Sequence, residues 1–216
     1  MNKLIIIGAS GFGRELVWLI ERINQVAPKW ELVGFLDDSP QKAEAEINGY
    51  PVIGPVSAAV NYLDAYYICA IGSAAIRKNV VEQLKRFHDI KFATIIDPNV
   101  VISQHVSVGE GTIICAGSII TVDIKIGCHV IINLSCTIGH DSQISDYCTL
   151  YPCVNVSGNV HLNGCIELGT GTQIIQGKSI CKDVIIGAGA VIVKDIKEPG
   201  TYVGVPAELC TKGLQP

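Results

Sequence analysis

Five histidines could move protons near neutral pH, where imidazole is the side chain that titrates unperturbed: His88, His105, His129, His140 and His161. Spacing alone favours none as a base, and taken singly each reads as a surface or structural residue. A second chemistry, anion binding, is suggested by Gly8-Ala9-Ser10-Gly11-Phe12-Gly13, with Gly8, Ser10, Gly11 and Gly13 as candidate contacts, together with Gly72, which closes a later apolar run. Glycine turns that feed a helix leave backbone N–H groups converging on one point, where a phosphate can sit. The spacing is G-x-x-G-x-G rather than the G-x-G-x-x-G of dinucleotide sites, so a mononucleotide or nucleotide sugar suits it better than NAD, and a merely structural strand-to-helix link suits it equally. Asp37 and Asp38 end another apolar run; they could accept bonds from a ribose or base, or form a solvated turn, and the residues leave both readings open. The nine cysteines are odd in number and include no C-x-x-C pair, which reads as reduced structural thiols.

Most of the scaffold for these groups lies further along. From Ile96 to Ile192 every sixth residue is aliphatic, at 17 stops out of 17. A period of six fits neither a helix near 3.6 nor an alternating strand at 2, and belongs to a parallel β-helix in which three six-residue units close a triangular coil of about 18 residues. Stacked coils then bury columns of Ile on Ile, each worth about 1.5 to 3 kcal/mol relative to exposure. The fourth position after each of these aliphatics is also small or apolar, from Val100 and Val106 to Val184 and Ala190, with only Lys178 out of place. Gly follows the aliphatic at 109, 127, 139, 169 and 187, which reads as a demand for tight backbone bends. Cys136 and Cys148 occupy the restricted fourth position and read as packed, not nucleophilic. His129, His140 and His161 are 11 and 21 residues apart and share no column of 18, so no metal site is implied.

Residues 1–94 alternate like an α/β domain. Lys3 to Ile7 reads as a buried strand before the glycine turn and a helix carrying Leu16, Leu19, Ile20 and Ile23. Glu31 to Leu36 reads as a second strand, followed after Gly49 and Pro51 by a short segment and a helix. Tyr66 to Ile71 is the next strand, with Ser73 placed to cap a helix carrying Val80, Val81, Leu84 and Phe87. A last strand near Lys91 to Ile96 enters the first coil. The unit has about half the length of a full Rossmann domain. The expected fold is thus an α/β Rossmann-like half-domain (1–94), a parallel β-helix (95–196) and a C-terminal tail (197–216).

The combination of Gly8-Ala9-Ser10-Gly11-Phe12-Gly13, Phe35-Leu36-Asp37-Asp38, Ala70-Ile71-Gly72, Ile76-Arg77-Lys78 and the hexapeptide run, ending in Tyr202-Val203-Gly204-Val205-Pro206-Ala207, resembles the sugar acetyltransferases of the PglD and NeuD type. The resemblance spans almost the whole chain. It implies a left-handed β-helix and a homotrimer that holds acetyl-CoA in the cleft between subunits. It also implies a front domain that holds the nucleotide of a nucleotide-linked amino sugar, with Asp37 and Asp38 near the uridine. In the family's catalytic segment a His is followed by an acidic residue, which sets His140 as general base and Asp141 as its partner; adjacent strand residues face opposite ways, so their contact needs a corner. Asn133 matches an Asn near the acceptor or base, and Gly158 a Gly whose N–H meets the acetyl carbonyl. Some members have a second His nine residues after the first; here that place is Thr149.

The resemblance implies N-acetylation of a nucleotide-linked 4-amino sugar in surface-glycan synthesis. O-acetylation of sialic acid is the alternative within enzymes, and a catalytically silent β-helix scaffold the alternative outside them. A net charge of −4 without a basic stripe argues against nucleic acid as partner. No run of about 18 apolar residues offers a membrane span, and Met1 to Ile7 lacks a signal-peptide pattern, so the expected address is the cytoplasm.

Overall fold

A computed structural model describes residues 1–86 and 90–210. Phe87 and His88 lie outside the described residues.

The front domain is built on β1 (Asn2–Ile7), whose Leu4 to Ile7 are fully buried. A strand buried on both faces must be covered by helices and joined by crossovers, which is the parallel α/β solution. α1 (Gly11–Val26) follows, then β2 (Trp30–Leu36), β3 (Glu46–Ile47), β4 (Tyr50–Gly54), β5 (Tyr66–Cys69), α2 (Ala74–Leu84) and β6 (Lys91–Phe92). The sheet order is β3-β4-β2-β1-β5-β6, parallel throughout except the β3–β4 hairpin. Short 3-10 helices occupy Pro40–Lys42 and Val56–Asn61, the latter where a helix is expected from sequence.

From Ile95 the chain winds into three parallel sheets. The first face stacks Ile95–Ile96, Ile113–Ile114, Ile131–Ile132, Thr149–Leu150, Glu167–Leu168 and Val184–Ile186. The second runs from Val101–Ile102 through Thr137–Ile138 to Val191–Ile192, and the third from Ser107–Val108 to Ser179–Ile180. Each residue pairs with the one 18 further on, as Ile120 with Ile138 and Ile138 with Val156, which is the sequence period made visible. The inward column and the fourth-position column meet in one continuous core of 24 buried side chains, from Ile114 to Ile196. The stretch read as Lys91 to Ile96 divides between two sheets: Lys91–Phe92 ends the front sheet and Ile95–Ile96 begins the first face. Beyond 196 the chain does not simply trail off: Gly200–Val203 adds a parallel strand to the first face and Glu208–Leu209 closes it antiparallel.

The glycines after the inward aliphatics serve a different purpose from the bends expected. The left-handed bend falls two residues later, at every sixth position from Gly111 to Gly189, and is taken there by Asp123, His129, Ser135, Asp141, Tyr147, Cys153, Asn159, Cys165 and Asp183 as well as glycine. Gly109, Gly139 and Gly169 are instead points of coil-to-coil contact. A Cβ would lie 2.5 Å from the Gly127 carbonyl oxygen at 109 and 2.6 Å from the next coil's amide nitrogen at 139 and 169.

The first face is also the seam with the front domain. Ile95, Ile113 and Ile131 point outward from their coils yet are buried, sharing a core with α1 and the front sheet.

Candidate active site

His140 and Asp141 sit where the second face turns into the third. Ile138 points inward and Gly139 lies against the next coil, so the chain is already at a corner when it reaches 140. Asp141 takes the left-handed bend (φ 61°), which swings its side chain to the same side as its neighbour's; this is the corner that contact between adjacent residues requires. Asp141 Oδ2 lies 2.7 Å from His140 Nδ1. Both side chains are open to solvent, at 64% and 61% exposure, so the pair adds little stability. Its consequence is directional: with the Nδ1 proton donated to the carboxylate, the lone pair stands on Nε2.

Gly158 is one coil above, and a Cβ there would lie 2.6 Å from His140 Nε2. Only a hydrogen fits against the imidazole edge. His140 O accepts the Asn159 N–H at 2.7 Å, which ties the two corners together. Among the described residues no acceptor takes the Gly158 N–H.

Asn133 occupies the preceding corner, between the first and second faces. It is 8% exposed and its Oδ1 accepts the Leu134 N–H at 2.7 Å. One strand, Thr137–Ile138, separates it from His140, and among the described residues no hydrogen bond joins the two. Thr149, at the place of the second family His, is buried and donates to the Gly72 carbonyl across the seam at 2.7 Å. Cys136 and Cys148 are buried, and burial pushes their thiols up to about 11 and about 12. At neutral pH neither is a thiolate.

In the front domain, Gly8 ends β1 with φ +98° and abuts the Ala70 carbonyl. Gly13 packs so closely on the Gly8 carbonyl that a side chain there would collide with it. Around the start of α1 a hollow of about 440 Å³ is lined by Ala9, Ser10, Gly11, Arg14, Lys42 and Asn48 among others. Arg14, Lys42 and Glu46 bring charge of both signs to it, with Lys42 also paired to Asp37; none of the three stood out in the sequence, although Arg14 directly follows the glycine turn, which was the signal available. Asp37 is committed to the turn itself: Oδ2 accepts the Ala9 N–H at 2.7 Å and Lys42 Nζ at 2.9 Å, and Oδ1 accepts the Ser39 N–H at 2.9 Å. Burial alone would raise its carboxyl, but Lys42 and the two N–H groups hold it below the usual carboxylate range. Asp38 Oδ1 accepts the Val56 N–H at 2.8 Å. Both aspartates also line a neighbouring hollow of about 420 Å³, with Pro40, Val52 and Ile53.

Gly72 is drawn into the seam, where its carbonyl accepts Thr149 and Arg77. Ser73 makes no side-chain cap; the Ala74 N–H is taken instead by Glu167 of the β-helix at 2.8 Å. A wider hollow of about 750 Å³ lies at another corner between Lys78, Lys125 and Lys182 and is lined by no histidine. Among the described residues no cluster of three His, Cys, Asp or Glu is arranged to hold a metal ion, and no helix is long and apolar enough to cross a membrane.

Residues 3–84 match the family model of the PglD N-terminal domain. Over 191 residues the chain is 32% identical to the GDP-perosamine N-acetyltransferase of Escherichia coli, covering 88% of this chain and 85% of that protein. The chain belongs to the PglD/NeuD-type sugar acetyltransferases. Solved structures similar to it include the acetyltransferase domain of PglB from Neisseria gonorrhoeae in complex with acetyl coenzyme A, with TM-score 0.87 at 29% identity over 97% of this chain and 100% of that one. A His-to-Asn variant of perosamine N-acetyltransferase from Caulobacter crescentus, in complex with CoA and GDP-perosamine, gives 0.88 at 26% identity over 98% of each chain. Membership in the PglD/NeuD type makes this chain an acyltransferase and its solenoid the left-handed helix of the hexapeptide-repeat superfamily.

Proposed function

We propose that the protein transfers the acetyl group of acetyl-CoA to the amino group of a nucleotide-linked 4-amino sugar, in the cytoplasm, as a step of surface-glycan synthesis. The observation that carries this reading is the corner at which Asp141 orients His140 and the unclaimed Gly158 N–H stands one coil above Nε2. His140 Nε2 takes a proton from the acceptor amine as its nitrogen attacks the thioester carbonyl. The Gly158 N–H supports the oxyanion while the C–N bond forms. Collapse breaks the C–S bond, and the proton passes to the departing thiolate. Direct transfer needs no acyl-enzyme, which agrees with the protonated Cys136 and Cys148. Asn133 stands near the acceptor or the base. The glycine turn (Gly8, Ser10, Gly11, Gly13) with Arg14 and Lys42 faces the diphosphate, and the hollow beside Asp37 and Asp38 receives the nucleoside. Gly72 supports that turn from the seam.

A homotrimer completes the site. Val101 and Ile119 on the second face are 64% and 43% exposed, and Val122 and Ile175 lie exposed one coil below His140 and one coil above Ser157, the neighbour of Gly158. Such a patch next to a reactive corner marks a surface that another copy covers, and the cleft so formed gives the donor its second wall.

The test is a mass-spectrometric transfer assay with acetyl-CoA and UDP-, dTDP- and GDP-linked 4-amino sugars, beside free and CMP-linked sialic acid, for wild type and His140→Ala. Acetylation of one amino sugar that disappears in the variant supports the proposal. Product from sialic acid alone replaces N- with O-acetylation, and no product from any acceptor defeats both.

A further inference from the structure

Between front domain and β-helix lies a buried arginine that the transfer mechanism above does not use. Arg77 is 1% exposed, on the face of α2 that also buries Ala74, Val81 and Leu84. All five N–H donors of its guanidinium go to backbone carbonyls. Nε donates to His129 O at 2.9 Å, one terminal nitrogen to Ile71 O at 2.6 Å and Gly72 O at 3.0 Å, and the other to Tyr147 O at 2.8 Å and Cys148 O at 3.1 Å. Among the described residues it forms no ion pair with a carboxylate, so the charge is held by peptide dipoles alone.

What those carbonyls belong to is informative. His129 and Tyr147 are the same corner one coil apart, and the turn of solenoid between them carries Asn133 and His140. Ile71 and Gly72 follow β5, and the Gly8 turn rests on this segment: a Cβ at Gly8 would lie 3.3 Å from Ala70 O and from Ile71 Cγ1. One planar fork thus grips both ends of the reactive coil and the support of the anion-binding turn. Thr149, donating to Gly72 O, and Glu167, accepting the Ala74 N–H and the Tyr151 hydroxyl, brace the same junction. Lower in the seam, Ile95, Ile113 and Ile131 join the domains by apolar contact. Apolar contact binds without fixing direction, whereas a five-bond fork fixes both distance and angle.

We propose that Arg77 is a positioning residue for the transfer reaction: it sets the coil of His140 in register with the nucleotide-binding turn, so that an acceptor held by one is presented correctly to the other. This rests on the function proposed above.

Arg77→Lys keeps the charge and loses the fork. Arg22→Met serves as its control, because Arg22 pairs with Asp97 at the first coil and touches neither element (2.7 Å). With the nucleotide sugar as acceptor, Arg77→Lys is expected to lower kcat/KM by about tenfold to a hundredfold through kcat and the KM of the sugar, as small misplacements do. The KM of acetyl-CoA should stay within about twofold. Arg22→Met should lower thermal stability and keep the kinetic constants. Amide exchange in the ligand-free proteins gives a second reading that needs no acceptor: peptides within 131–148 should exchange faster in Arg77→Lys and unchanged in Arg22→Met. Wild-type kinetics in Arg77→Lys, or faster exchange spread evenly over the seam in both variants, would reduce Arg77 to a stability staple and overturn the proposal. If wild type acetylates no amino sugar, the proposed function fails while exchange still decides the role of Arg77. Should Arg77→Lys not fold, Thr149→Val removes one bond of the same brace; a smaller loss in the same direction is expected, and wild-type kinetics with wild-type exchange again overturns the inference.

Discussion

At the scale of single residues, the corner proposed as reactive rests on one carboxylate beside His140 and one missing methyl group at Gly158. Replacing His140 by Ala should cost about 10²- to 10⁴-fold in kcat, the range for a general base, while acetyl-CoA binding measured by calorimetry is retained. Gly158→Ala is the sharper probe. Position 158 has no left-handed backbone to strain, yet the new Cβ would lie 2.6 Å from Nε2 and must turn the imidazole aside. A loss of about 10²-fold in kcat with nearly unchanged melting is expected; wild-type turnover would show that the ring does not work from this pose. His129 makes a different prediction. It is fully buried between the rings of Phe92 and Tyr147, among the described residues neither ring nitrogen has a partner, and burial lowers its pKa from 6.5 to about 4. The unfolded chain therefore binds the proton first, so stability should fall as pH drops from about 6.5 to about 4, by on the order of 3 kcal/mol. Urea midpoints across that window should show the slope in wild type and a clearly shallower one in His129→Phe.

At the scale of elements, the solenoid column can be tested by two glycines two residues apart. Gly171 takes the left-handed bend with open space around it, and other coils fill that position with Asp, Asn, Ser or Cys. Gly171→Asn should cost less than about 1 kcal/mol. Gly169→Ala drives a methyl to 2.6 Å from the Ala188 amide nitrogen, and should cost about 1 to 3 kcal/mol, as overpacking does; chemical denaturation of both variants decides it. These two positions also mark how far the sequence could be read. The six-residue period foretold the coils, their register and their core, because an inward aliphatic at every sixth place has no other efficient burial. The bends were misplaced by two residues, because the left-handed position accepts so many side chains that composition hides it, while the recurring glycines answer to a neighbouring coil 18 residues away. The seam was illegible for a related reason: Arg77, Thr149 and Glu167 act across 52 to 93 residues, and only the odd placement of a charge among the apolar positions of α2 hinted at it. His140 and Asp141 were singled out by family likeness alone. Their shared corner became physical only with the bend at Asp141.

At the scale of the whole molecule, the exposed aliphatics of the second face are expected to be the contact between copies. Ile119→Asp should convert the assembly to monomers in light scattering and abolish transfer while leaving the circular dichroism of the solenoid intact. An active monomer would place the complete site within one chain. The uninterrupted register of 18 carries one more consequence, for how such a protein can change length. Along the solenoid the chain behaves like a screw thread, and insertions or deletions act as changes of phase. Removing six residues above Leu168 would turn everything beyond by a third of a revolution, moving each outward column to the next face. Removing eighteen would only lower it by one step, about 4.8 Å, with every column still aligned. Whole turns can thus be gained or lost at the C-terminal end while the corner of His140 stays as it is, whereas any other change of length beneath that corner would carry His140 out of its present alignment with the front domain.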